Sequence, residues 1–110
     1  MDQPLATYAA FWPYYLREHS NPKSRALHYL GSTLAIAFLA AGLVALDWRY
    51  IGGAVIAGYF WAWIGHFFIE HNRPATFSYP LWSLASDFRM CACWLTGTLP
   101  AELAAAGIEP

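Results

Sequence analysis

Charge is what this sequence has least of. Asp, Glu, Lys and Arg make up 12% of its 110 residues, roughly half the share of an ordinary soluble domain. So little polar surface cannot cover a chain that faces water on every side. The net charge of −1 at pH 7, with no basic run anywhere, excludes nucleic acid as a partner. Cysteine is equally scarce. Cys91 and Cys93 stand two apart in an apolar run, where a helix turns them to different faces, so a disulfide between them is excluded and both read as small apolar fillers. There is no internal repeat and no low-complexity tract. No short apolar stretch lies close to Met1, as a cleaved secretory signal requires. The first long one begins near residue 30, behind a polar stretch holding Glu18, His19, Lys23 and Arg25.

What the chain has instead is apolar and aromatic surface, 58% and 18% of its residues. Its length suits a single domain over residues 1–110. Residues 4–18 are aromatic and amphipathic, with Tyr8, Phe11, Trp12, Tyr14 and Tyr15, too short to cross a bilayer and suited to the headgroup region as an interfacial helix. Residues 30–46 hold no ionisable side chain and rise about 25 Å as a helix, a little short of the ~30 Å hydrocarbon layer. Residues 50–69 give about 30 Å, with His66 their one ionisable group. The connection between them, Asp47, Trp48 and Arg49, forces an antiparallel hairpin. Gly42, Gly52, Gly53 and Gly58 are expected to let its two backbones approach, as membrane helices do in the absence of a hydrophobic force between them. Residues 81–99 are long enough to span but carry Asp87 and Arg89, and residues 100–110 read as a short frayed helix. The pattern predicts an all-α integral membrane bundle of about four helices, two or three of them spanning. Arg17, Lys23, Arg25 and Arg73 lie at one end of the hairpin against Arg49 at its tip, which puts the N-terminus in the cytoplasm.

The four histidines gather at that same end. His28 stands just before the first apolar run and His66 about one turn before the end of the second, so an antiparallel hairpin brings both to one membrane level. His19 lies on the polar approach and His71 just past the second run. Glu70, four residues after His66, shares its helix face, whereas His71, five after it, points away. Imidazoles with a carboxylate suit Fe(II), Zn(II) or Mn(II), and no cysteine is near enough in sequence to suggest a thiolate site. Asp87 is a candidate acceptor for the ring N–H of a ligating histidine. Asn72, Arg73 and Pro74 read as a helix stop. Spacing supports a metal site without naming a reaction.

Residues 19–28 (HSNPKSRALH), followed by Gly31, resemble the first motif of the iron-dependent 2-hydroxy fatty acid dioxygenases. The run from Gly65 through His66 to Glu70, then Arg73, Pro74 and Ala75, is similar to their second motif, and Ser83, Leu84 and Asp87 to their third. The likeness covers roughly residues 12–99. It departs at two places: His71, where relatives often carry lysine, and Ser24, where they often carry asparagine. The resemblance implies Fe(II) held by His19, His28, His66 and Glu70, with no catalytic side chain beyond the ligands. It implies fatty acid α-oxidation, in which a 2-hydroxy fatty acid and O₂ yield an acid one carbon shorter. The hydroxyl and carboxylate would chelate iron while the acyl chain stays among apolar helices and membrane lipid. Arg25, Lys23 or Arg73 could draw the carboxylate, and Asp87 or His71 could support the ligands. A chain this compact is expected in a bacterial inner membrane. Two other readings compete: a bis-histidine haem carrier with His28 and His66 as axial ligands, and a non-catalytic structural membrane protein.

Overall fold

The computed structural model describes residues 4–108, and its regular elements are helical throughout. Among the described residues there are five α-helices and no strand: α1 (Tyr8–Arg17), α2 (Pro22–Ala45), α3 (Arg49–Ile64), α4 (Pro80–Thr96) and α5 (Leu99–Ala105). A π-helical segment, Gly65–Glu70, continues α3, and a 3₁₀ turn, Ala75–Phe77, precedes α4. The chain divides into two compact units, Asn21–Asn72 and Met1–Ser20 with Arg73–Pro110.

The unit Asn21–Asn72 is the predicted hairpin. Asn21 caps α2, its side-chain oxygen accepting from the Lys23 backbone N–H at 2.8 Å. Pro22 follows at the first helical position, where an N–H has no partner to lose. These start signals open the helix eight residues ahead of the apolar run. His28 therefore lies inside α2, not before it, and the helix reaches 24 residues, about 36 Å, which removes the expected shortfall in length. At the far end Leu46 takes a left-handed conformation, φ 54°, and the Asp47 N–H bonds to the Gly42 carbonyl at 3.0 Å. Asp47 then grips the Arg49 guanidinium at 2.8 Å, and that hydrogen-bonded cation holds the carboxyl below its usual range. Two stretches are long and apolar enough to cross a membrane, Pro22–Ala45 and Arg49–Glu70, and much of their surface is exposed Leu, Ile, Val and Phe.

Backbone contact sets the register of the hairpin. A Cβ added at Gly31 would lie 2.6 Å from the Gly58 carbonyl oxygen, and one at Gly53 would lie 2.8 Å from the Phe38 ring. Gly42, Gly53 and Gly58 thus stand at the helix contact as expected. Gly52 does not: nothing lies within 4 Å of its Cβ direction, because it falls on the outer face of α3. Gly31, on the opposite helix, takes the closest approach instead.

The unit made by the chain's two ends is built on aromatic packing. Thr7 caps α1 by accepting from Ala10 N–H at 3.2 Å. Phe11, Tyr15 and Leu16 are completely buried, and the Phe11 ring lies 5.2 Å from that of Tyr79 and 5.6 Å from that of Trp82. The aromatic face of α1 is therefore a packing face against α4 and α5. Tyr8 and Ser86 share a hydrogen bond of 2.8 Å, and Trp12 donates to Glu102 at 2.8 Å. The Arg89 guanidinium sits 4.0 Å from the centre of the Trp12 ring and 3.9 Å from Glu102, which explains a cation in the last apolar run. That helix ends at Gly97 after 17 residues, about 25 Å, so residues 81–99 do not form a third span of full length. The expected short terminal helix is α5, which turns Leu99 and Leu103 inward.

The close approach makes a paired prediction. Gly31→Ala should destabilise the hairpin by about 1–3 kcal/mol, because its Cβ meets a main-chain oxygen that cannot turn aside. Gly52→Ala should be neutral or slightly stabilising, since it meets nothing and alanine favours helix. Thermal unfolding of the two variants in detergent checks both; equal loss would mean that the backbones are not in contact at Gly31.

Candidate metal centre

In the unit Asn21–Asn72, His28 and His66 face each other. His28 is 5% exposed and His66 2%, and their Nε2 atoms stand 3.3 Å apart with the two rings nearly perpendicular. Each arrives by a different local route. His28 is carried on the second turn of α2, three residues before the Gly31 contact. His66 is carried by the π-helical segment, where the wider turn re-aims side chains relative to the α-helix before it. Gly65 allows that segment to lie against α2, for a Cβ there would sit 2.9 Å from the Ser24 Oγ. His71 closes the segment in a left-handed conformation, φ 57°. The Asn72 N–H then returns to the His66 carbonyl at 2.9 Å.

The turn also fixes the chemistry of His66. Its Nδ1 lies 2.6 Å from the Asn72 Oδ1, an atom that only accepts, so Nδ1 carries the proton and Nε2 keeps its lone pair. In the other unit His19 is held in the same manner. It is fully buried, its Nδ1 lies 2.6 Å from the Tyr15 carbonyl oxygen, and its ring centre is 4.1 Å from that of Tyr15. Again Nδ1 must donate, and Nε2 is left with its lone pair. A ligating histidine characteristically presents one nitrogen to the ion and gives its other N–H to an oxygen.

The donor set fits a first-row divalent metal. Imidazole nitrogens about 2.0–2.1 Å from one ion, at angles near 90–110°, stand roughly 3–3.4 Å apart, and His28 and His66 are separated by 3.3 Å. His28 and His66 are thus spaced to hold one ion, and His19, in the other unit, presents a buried imidazole of the same kind.

The other candidates divide. Glu70 lies at the end of the π-helical segment, and its Oε2 accepts from the Asn21 backbone N–H at 2.8 Å, tying the segment to the start of α2. His66 and Glu70 stand four residues apart within that π-helical segment. His71 is exposed, as its different direction implied. Arg25 is buried on α2, three residues before His28, while Lys23 is exposed. Arg73 is exposed and lies over the Phe77 ring, 5.3 Å from its centre. Asp87 accepts a short hydrogen bond from the Tyr15 hydroxyl, so it stands behind the residue whose carbonyl holds His19. Sequence reasoning missed Asn72 and Tyr15, the two residues that orient the imidazoles. Asn72 read as part of a helix stop and Tyr15 as one aromatic among several. A polar amide immediately after a helix that ends in histidine was the available signal for the first; a main-chain acceptor such as the Tyr15 carbonyl leaves none.

These hydrogen bonds predict tautomers. In metal-free protein at neutral pH, ¹⁵N NMR should find His19 and His66 protonated at Nδ1, and His28 at Nε2, the nitrogen that must donate across the 3.3 Å gap. Asn72→Ala should release the preference at His66 and leave His19 unchanged. Retention of the Nδ1–H form of His66 in that variant would show that Asn72 does not hold the ring.

No curated protein and no solved structure matches the chain. The family described as 2-hydroxy-palmitic acid dioxygenase Mpo1-like matches residues 5–99, a range that takes in α1, both histidine-bearing motifs and all of α4. The chain belongs to the Mpo1-like family.

Proposed function

We propose that this protein is an integral membrane, Fe(II)-dependent dioxygenase that shortens 2-hydroxy fatty acids by one carbon, with O₂ as the four-electron oxidant and the lost carboxyl carbon leaving as CO₂ with one water. The observation that carries the reading is the His28–His66 pair, two buried Nε2 atoms at 3.3 Å with the far nitrogen of His66 locked to Asn72. The family's description supplies the substrate class, a 2-hydroxy-palmitic acid. His19, His28 and His66 are the proposed ligands. Glu70 supports them by holding the π-helical segment to the start of α2, in place of the direct ligation expected from spacing. Membrane insertion through Pro22–Ala45 and Arg49–Glu70 is part of the proposal, with the N-terminus cytoplasmic, because Lys23 and Arg25 lie at the open end of the hairpin and Arg49 at its tip.

Iron, when bound, supplies the redox change that O₂ chemistry needs and that no side chain here provides. The chain's own residues bind and orient. Tyr15 and Asn72 keep Nδ1–H on His19 and His66, so that each presents a lone pair. Burial of all three imidazoles excludes water from their surroundings. Arg25, buried on α2 one turn before His28, brings the positive charge that a fatty acid carboxylate requires. A 2-hydroxy acid carries its oxygens on adjacent carbons, which would suit chelation of a metal held by the proposed histidines. Its acyl chain would lie along the apolar hairpin surface. A haem carrier is disfavoured by the same pair of atoms, since the two Nε2 atoms are in hydrogen-bond contact at 3.3 Å and leave no room for a macrocycle between the rings.

The test is turnover. Purified, iron-loaded protein incubated with 2-hydroxypalmitate in air should yield the acid one carbon shorter, and strict anaerobiosis or zinc in place of iron should abolish it. Full activity without O₂, or with zinc alone, would overturn the dioxygenase reading. His28→Ala and His66→Ala should each lose iron to background while still inserting, whereas His71→Ala should keep it. Asn72→Ala should weaken iron binding about 10–100-fold, measured by chelator competition. A Soret band in the purified protein would favour the haem reading instead.

A further inference from the structure

One buried polar group in the hairpin is left over by this account. Ser24 has 0% exposure, yet among the described residues its hydroxyl makes no hydrogen bond. Sequestering a hydroxyl without a partner is costly, and most such groups in native proteins have one. The position makes the orphan informative. Ser24 precedes His28 by four residues and so lies on the same face of α2, one turn nearer the open end of the hairpin. Across from it is Gly65, the residue before His66, and its missing side chain leaves room for the Ser24 Oγ. A glycine there and a serine opposite place an unspent hydroxyl beside both histidine-bearing segments. A packing role would be served as well by alanine, without the desolvated oxygen.

We propose that the Ser24 hydroxyl is a substrate-binding group, donating a hydrogen bond to an anionic oxygen of the 2-hydroxy acid bound at the His28–His66 site. This rests on the functional reading above and adds a residue to it. The bound acid would provide the acceptor that the protein lacks. A serine hydroxyl is neutral and short, so it selects an oxygen at one place without adding a charge to a buried site. Arg25, one residue further along α2, would contribute charge, whereas Ser24 would contribute position.

The test is equilibrium binding with the full-length protein in detergent, loaded with zinc so that no turnover intervenes. The measured quantities are the Kd of 2-hydroxypalmitate at fixed detergent concentration, zinc per chain, and the thermal midpoint without ligand. Ser24→Ala should raise that Kd about tenfold, the effect of losing a hydrogen bond to a charged acceptor. Zinc content should not change, and the ligand-free midpoint should be equal or higher, because an unpaired buried hydroxyl has been removed. Ser24→Cys keeps nearly the same shape with a much weaker donor, and it should bind the acid as poorly as Ser24→Ala. An unchanged Kd in Ser24→Ala, wild-type affinity in Ser24→Cys, or loss of zinc in either variant would overturn the proposal while leaving the dioxygenase reading standing. Wild-type protein that holds zinc but does not bind 2-hydroxypalmitate would overturn both.

Discussion

The closest contact in the hairpin is between two backbones. Gly31 and Gly58 meet so tightly that a methyl group on the first would collide with the carbonyl of the second. The pairing of Phe38 with Gly53 and of Gly42 with Tyr50 continues the same antiparallel register toward the tip. Toward the open end, that register brings His28 opposite His66. Little apolar material is buried between the two helices, since much of their aliphatic surface points outward. Dispersion between closely approaching backbones, not a hydrophobic core, therefore holds the pair, which is the situation of helices packed in lipid. One turn of slippage would move the imidazoles about 5 Å past each other and dissolve the site.

The π-helical segment answers a different constraint. An unbroken α-helix through residue 70 would satisfy its own backbone but would leave no turn to bring Asn72 back to His66. Widening the last six residues, ending them at His71 with a positive φ, and returning the Asn72 N–H to the His66 carbonyl set the amide oxygen beside Nδ1. The strain of a left-handed histidine is localised next to the candidate site, where such departures are concentrated in functional proteins. Glu70 secures the same segment through the Asn21 N–H.

His19 is oriented by another kind of scaffold. Tyr15 is buried among Phe11, Trp12 and α4, stacks against the imidazole and offers it a main-chain carbonyl, while its hydroxyl is anchored on Asp87. Aromatic packing at the ends of the chain thus orients His19, as the hairpin contacts orient His28 and His66. Both charged residues of α4 have partners within this unit. Asp87 has the tyrosine hydroxyl, and Arg89 has the face of Trp12 and the carboxylate of Glu102.

Much of this was legible in the residues themselves. Scarce charge and two long apolar runs joined by Asp47, Trp48 and Arg49 determine an antiparallel apolar hairpin, because no other arrangement suits so short a connection. The same runs place His28 and His66 at one level, since rise per residue is fixed along a helix. The motifs that include His19 and Glu70 identify the family. What the sequence could not decide is how each imidazole is turned. Periodicity assumes a uniform α-helix, so it missed the π-helical segment and the bond that ties its Glu70 to Asn21. It could not say which side of the aromatic helix would be covered, since Phe11 and Tyr15 look like Tyr8 and Tyr14 until α4 packs on them. Nor could it find Asn72, Tyr15 or the stranded hydroxyl of Ser24. Hydrogen bonds between residues on different elements depend on angles and separations of tenths of an ångström, and only the packed chain sets those.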